Sequence, residues 1–203
     1  MGAAKKTDLI PQGFPKNLDW HTEQRWDSLV QLYEFVVQEC GNAIHWYYSS
    51  KRAKSRMGYF LRAGSILAIA VAGVIPIIGE IYERSDGSPL LSPAWATVAL
   101  ALAALFVALD RFGGYTSGWV RYVRTAQRLT LLQADFRLNW EDYRFRCPQL
   151  TAEETREGIL LCLTFLRNVN LEIQNETNAW AQEFQQALLE VDNLSKKPNS
   201  ELS

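Results

Sequence analysis

Two stretches of this chain carry no charge, and the segments around them are regularly patterned. Ala63 to Gly79 (AGSILAIAVAGVIPIIG) is the first, with Tyr59-Phe60-Leu61 extending the apolar run on its N-terminal side. Pro89 to Leu109 (PLLSPAWATVALALAALFVAL) is the second. A helix rising roughly 1.5 Å per residue needs about 20 such residues to cross a hydrocarbon layer of about 30 Å. The pattern therefore predicts spans at about 60–80 and 89–109. Helices buried in a soluble bundle usually keep a polar stripe, whereas these two are apolar around their circumference, which favours lipid over a protein core. Between them Glu80 to Ser88 (EIYERSDGS) holds the Asp86-Gly87 turn signal and is too short to be a domain. Residues 59–109 thus read as a two-helix transmembrane hairpin.

The flanking arms show a different period. Trp26, Leu29, Val30, Tyr33, Val37, Cys40, Ile44 and Tyr47 recur at steps of three and four, the spacing of one helix face. They predict an amphipathic helix from about Asp19 to Arg56, in a segment 19–58, with bends near Gly41 and Gly58. Trp119, Val123, Ala126, Leu129, Leu132, Phe136, Trp140 and Tyr143 repeat the pattern until Cys147-Pro148 stops it. Thr151-Ala152-Glu153-Glu154 is a capping box that opens a last helix, whose stripe runs from Ile159 through Trp180 and Phe184 to Val191. Segment 110–195 is accordingly helical, while 1–18 and 196–203 are polar and expected to be flexible or disordered. The fold class is an all-α membrane protein in which long amphipathic cytoplasmic helices form a bundle beside the hairpin.

Composition adds little to this picture. A mean hydropathy of -0.14 averages two very apolar runs with polar arms and so describes neither. Three separated cysteines, Cys40, Cys147 and Cys162, lack CxxC spacing and suggest buried thiols, not a disulfide framework or zinc site. His21 and His45 have no partner at metal-ligand spacing. No cofactor is expected, and no GxxxxGK[ST], GxSxG, HExxH or GxGxxG occurs, so an enzyme is not the reading. Gly113-Gly114 is an isolated pair that marks a helix boundary. The N-terminal residues include Lys5 and Lys6 with no apolar region behind them, so no cleavable signal peptide is expected.

Charge sets orientation. Lys51, Arg52, Lys54, Arg56 and Arg62 precede the first span, and Arg111, Arg121, Arg124 and Arg128 follow the second, while the loop holds Arg84 against Glu80, Glu83 and Asp86. The excess of cations on one side predicts a multi-pass membrane protein with cytoplasmic termini and a loop facing outward. The cluster at 51–56 (KRAKSR) could neutralise nucleic-acid phosphates, but its place directly before a span assigns it to lipid headgroups instead. No nucleic-acid partner is expected.

Leu109-Asp110-Arg111-Phe112-Gly113 ends the second span, and Trp119-Val120-Arg121-Tyr122 opens a long helix. With the paired spans and short loop, these residues resemble the SLATT family, the SMODS- and SLOG-associating two-transmembrane effectors of bacteria, over roughly residues 25 to 190. The resemblance implies an effector of an anti-phage conflict system, triggered by a nucleotide second messenger or by a nucleotidyltransferase or sensor encoded nearby, that permeabilises the envelope.

From the residues themselves, Asp110 and Arg111 sit where the second span leaves the membrane. Asp110 can pair with a basic neighbour and Arg111 can reach headgroups, as an interfacial anchor or as a gating contact. Gly64, Ala68 and Ala72, at four-residue steps, are the expected oligomer-packing face of the first span. Arg62 and Glu80 are placed near the two mouths of a path lined by that span, with Pro76 bending its outer half. Two functions remain open: an oligomeric pore, and a non-conducting scaffold or sensor that holds a helical bundle at the membrane. Ser65 and Thr97 are the only hydroxyls in the uncharged cores apart from Ser92 at the edge, so a permanently hydrated channel is not expected.

Overall fold

The computed structural model describes residues 11–81, 92 and 94–196. Beyond Ile81 the expected loop lies outside them, as do the first ten residues and the tail from 197. Among the described residues there are four helices and no strand: α1 (Arg25–Ile81), α2 (Ala94–Gly113), α3 (Tyr115–Arg146) and α4 (Ala152–Lys196). The chain divides into two compact units, one of residues 1–51 and 120–179 and the other of 52–119 and 180–203.

In the first unit, one face of each of α1, α3 and α4 meets in a single core. Leu29, Leu32, Val36, Cys40, Ala43 and Tyr47 of α1 are buried with Ala126, Leu129, Phe136, Trp140 and Tyr143 of α3 and Cys162, Phe165 and Val169 of α4. Its centre is aromatic. Phe136 and Phe165 stack at 4.1 Å, Tyr33 and Trp140 at 4.7 Å, and Trp26 meets Tyr143 edge-on at 6.2 Å. Such pairs add roughly 0.5–1.5 kcal/mol each beyond the area they bury. Gly158 lets the helices approach, because a methyl group there would meet the Tyr143 hydroxyl at 2.8 Å. That hydroxyl donates to the Glu154 carbonyl at 2.6 Å.

The capping box forms in both directions. Thr151 Oγ1 accepts from the Glu154 amide at 3.2 Å, and the Glu154 carboxylate accepts from the Thr151 amide at 2.7 Å. These bonds satisfy two amides that the first turn of α4 leaves without helical partners, at about 1 kcal/mol for such a cap. The backbone bond from Thr151 holds the Glu154 carboxyl below its ordinary range. A lowered carboxyl stabilises the fold above the ordinary carboxylate pKa, and its contribution disappears as pH falls through the lowered value.

One sequence expectation needs correction. The first helix begins at Arg25, not near Asp19, because the residues before it form a turn: the Asp19 carboxylate accepts from the His21 amide at 2.9 Å, and the Ser28 hydroxyl donates to the Asp19 carbonyl at 2.6 Å. Helix α1 is continuous through Gly41 and Gly58 for 57 residues. Gly58 serves packing, since a methyl group there would stand 3.0 Å from the Thr116 hydroxyl and 3.4 Å from its backbone nitrogen.

In the second unit, the spans pair through a narrow seam. Inward positions of α1 fall at Gly58, Leu61, Ser65, Ala68, Ala72, Ile75 and Gly79, and those of α2 at Ala96, Ala99, Ala103, Phe106, Asp110 and Gly113, again at steps of three and four. The remaining faces stay uncovered. Only 22% of the most apolar stretch of α1 and 11% of that of α2 and α3 is buried inside the chain. A helix belonging to a soluble core would be mostly buried, so these surfaces fit helices that cross a membrane. The described helix α2 starts at Ala94, five residues after the sequence expectation; residue 93 and those from 82 to 91 lie outside the description.

Candidate functional site

Charged residues meet at one end of the hairpin. Asp110, on the last turn of α2, has a side chain only 14% exposed, and its carboxylate lies 3.4 Å from the Arg62 guanidinium of α1. It also accepts from the Thr116 amide at 3.2 Å and from the Thr116 hydroxyl at 2.9 Å. The acid therefore caps the first turn of α3 while reaching back to α1. That turn is possible because Gly114 takes φ +54°, a left-handed conformation that costs glycine nothing. Its carbonyl then accepts from the Gly118 amide at 2.8 Å, so one residue both ends α2 and starts α3.

The strength of this knot is uneven. The Arg62 side chain is 64% exposed, so its ion pair is screened and contributes under about 1 kcal/mol. The Thr116 bonds to a partly buried carboxylate are charge-assisted and satisfy a helix N-terminus, so they carry most of the stabilisation. The sequence suggested Arg62 as a mouth residue and Asp110 as the partner of a basic group; the structure brings the two together.

Arg111 also meets an acid, its guanidinium lying 2.6 Å from Glu190 on α4. Ser117 donates to Glu183 at 2.9 Å, and Phe112 packs against Phe184 at 5.9 Å between ring centres. Thr116, Glu183 and Glu190 were missed in the sequence. The signal available was that Glu183 and Glu190 stand seven residues apart on one face of α4.

The other candidates are scattered. A methyl group at Gly64 would meet the Phe106 ring at 3.1 Å, and Ala72 is 5% exposed, so both already serve contacts within the hairpin; Ala68 is half-buried. Pro76 lies inside α1, which continues to Ile81, and Glu80 is exposed near that end. Of the basic cluster, Arg52 and Arg56 are exposed, the Lys54 side chain crosses Gly118, and the Lys51 ammonium stands 4.5 Å over the Tyr48 ring. Within the first unit, Arg121 pairs with Glu176 at 3.5 Å and Arg128 with Glu172 at 3.2 Å, so two cations counted for orientation also hold the bundle. Among the described residues no group of three or more His, Cys, Asp or Glu could hold a metal ion.

Paired apolar helices with charges at their base match a known pattern. The family model described as "SMODS and SLOG-associating 2TM effector domain 2" matches residues 8–199. This chain belongs to the SLATT family. SLATT domains are two-transmembrane effectors associated with anti-phage conflict systems, and the hairpin described above is that two-transmembrane element. No curated protein and no solved structure matches the chain. In SLATT terms, residues 8–199 take in both the aromatic bundle and the hairpin, so the family match extends well beyond the spans.

Proposed function

We propose that this SLATT protein assembles in the bacterial inner membrane and, once triggered, permeabilises it to halt infection. The trigger is a nucleotide second messenger or the nucleotidyltransferase or sensor encoded nearby. The observation that carries this reading is the confinement of charge to the ends of the hairpin, with Arg62 tied to Asp110 at one end and Glu80 exposed near the other. Two helices cannot enclose a polar path, so conduction demands several copies. Ser65 is 5% exposed and turned into the hairpin, which supports a closed, hydrophobically gated resting state.

Because Gly64 and Ala72 are engaged within the chain, close contact between copies is assigned to the opposite face of the first span. There Ala63, Ala70 and Gly73 are exposed, and a methyl group at Gly73 would meet nothing within 4 Å. Small residues let backbones approach, which is the main source of attraction between helices in lipid. The path forms where these first-span helices gather, with Arg62 and Glu80 near its mouths. Arg62→Gln or Glu80→Gln should shift the reversal potential of the triggered conductance while leaving oligomer size unchanged. A conductance indifferent to both substitutions would place the path along the second span.

The second reading, a non-conducting scaffold or sensor, is favoured by one observation: of the two core hydroxyls of the spans, only Thr97 faces outward. Dye uptake and membrane potential, measured with the trigger present, separate the two.

Both termini are placed in the cytoplasm, on the charge balance of the spans' flanks. Thiol labelling of intact cells tests this with little background. Burial pushes the Cys40 thiol up to about 11 and Cys162 to about 12, and all three native cysteines are buried. Their thiolate fraction near neutral pH is therefore negligible. Cysteine introduced at Glu80 should react with an impermeant maleimide in intact cells, and cysteine at Asn193 only after the membrane is opened. The reverse pattern would invert the topology.

A further inference from the structure

A groove of about 470 Å³ runs along the hairpin and reaches α4. Its walls along the spans are apolar except for Ser65, formed by Ile69, Leu100, Ala104, Val107 and Ala108, and Ala187 of α4 contributes near one end. At that end stand Arg111 and Glu190, 2.6 Å apart and both partly exposed. The groove exists because alanines occupy three positions, Ala103, Ala104 and Ala108, where larger side chains would have filled it. From Leu100 to Arg111 it follows about 16 Å of helix at 1.5 Å per residue, which places its apolar part at hydrocarbon depth and its charged end at the boundary.

We infer that this groove binds one phospholipid with an ethanolamine headgroup. An apolar channel at hydrocarbon depth takes an acyl chain, since water there would lack hydrogen-bond partners. The charged end selects the headgroup. A guanidinium has five N–H donors and a carboxylate two oxygens, and the mutual contact uses a single pairing of them. The phosphate of the lipid accepts from Arg111, and its ammonium donates to Glu190. An anionic glycerol headgroup meets Arg111 but gives Glu190 no cation. A choline headgroup brings a cation without an N–H. The adjacent opposite charges are complementary to a zwitterion that can donate.

The test uses purified full-length protein by native mass spectrometry, with phosphatidylethanolamine, phosphatidylglycerol or phosphatidylcholine added in turn. One ethanolamine lipid per subunit should be retained about tenfold better than either alternative. Glu190→Gln should erase the advantage over phosphatidylglycerol, and Ala104→Phe should lower retention of all three lipids. Leu102→Phe, a similar enlargement at a residue that does not line the groove, should change neither. Far-UV circular dichroism of each variant should match the parent. Equal retention of the three lipids would overturn the inference, as would an Ala104→Phe protein that binds lipid normally. If Ala104→Phe instead dissociates an oligomer and leaves lipid retention unchanged, a second copy fills the groove and the inference fails. Retention does not require conduction, so this result stands or falls apart from the proposed permeabilisation.

Discussion

Trp140→Ala should remove about 3–5 kcal/mol of stability, the range for deleting a fully buried aromatic side chain. The indole is 2% exposed and is surrounded by Trp26, Tyr33, Phe136 and Tyr143, with centroids 4.7 to 6.5 Å away. Truncation loses the transfer energy of the ring and opens a space that these rigid neighbours fill only partly. Since domains are stable by about 5–15 kcal/mol, the loss is a large share of the total. Denaturant unfolding in mild detergent, followed by far-UV circular dichroism, measures it, with limited proteolysis as a second readout. A loss below about 1 kcal/mol would mean that the aromatic stack is not the centre of the bundle.

At the base of the hairpin, Asp110→Ala should cost about 2–3 kcal/mol, whereas Arg62→Gln should cost under about 1. Both substitutions break the same ion pair. Only the first also deprives the Thr116 amide and hydroxyl of their acceptor, 3.2 and 2.9 Å away. Asp110→Asn should fall between them, since it keeps an acceptor but loses the charge. Thermal unfolding of the purified proteins distinguishes these cases. Equal losses for Asp110→Ala and Arg62→Gln would show that the ion pair, not the cap, holds the turn.

Periodicity made much of this architecture legible. Of the positions marked by steps of three and four, Leu29, Cys40, Tyr47, Ala126, Leu129, Phe136, Trp140 and Tyr143 are buried in the core, because a helix face must bury its apolar side. Val30, by contrast, is exposed, and the buried Leu32, Val36 and Ala43 were not marked. The capping box at Thr151 and Glu154 was readable because it is local, its two partners lying three residues apart. The uncharged runs announced the hairpin for the same reason: length and hydropathy are properties of a single segment.

What escaped the reading depends on pairing between distant segments. The packing use of Gly58 was not legible, since glycine in a helix also lets a neighbour approach, and only the facing residue, Thr116, reveals that use. Gly64 and Ala72 were assigned to contacts between copies, but small residues at four-residue steps suit an intramolecular helix partner equally well. The Arg111 partner Glu190 was not legible, because it lies 79 residues away. Asp110 was singled out correctly as a residue with a basic partner, since a carboxylate at the end of an apolar run needs one.

The central claim is that this SLATT protein is a triggered membrane effector, and propidium uptake together with membrane potential tests it most directly. The full chain is expressed with and without a nucleotidyltransferase or sensor protein as the proposed trigger, and its oligomerisation and partner binding are checked in the same cells. The account predicts that cells exclude the dye and hold their potential when the chain is expressed alone. With the trigger present they should take up dye and depolarise. A protein that oligomerises and binds its partner, yet leaves dye exclusion and potential unchanged, would contradict the account and leave the scaffold reading in its place.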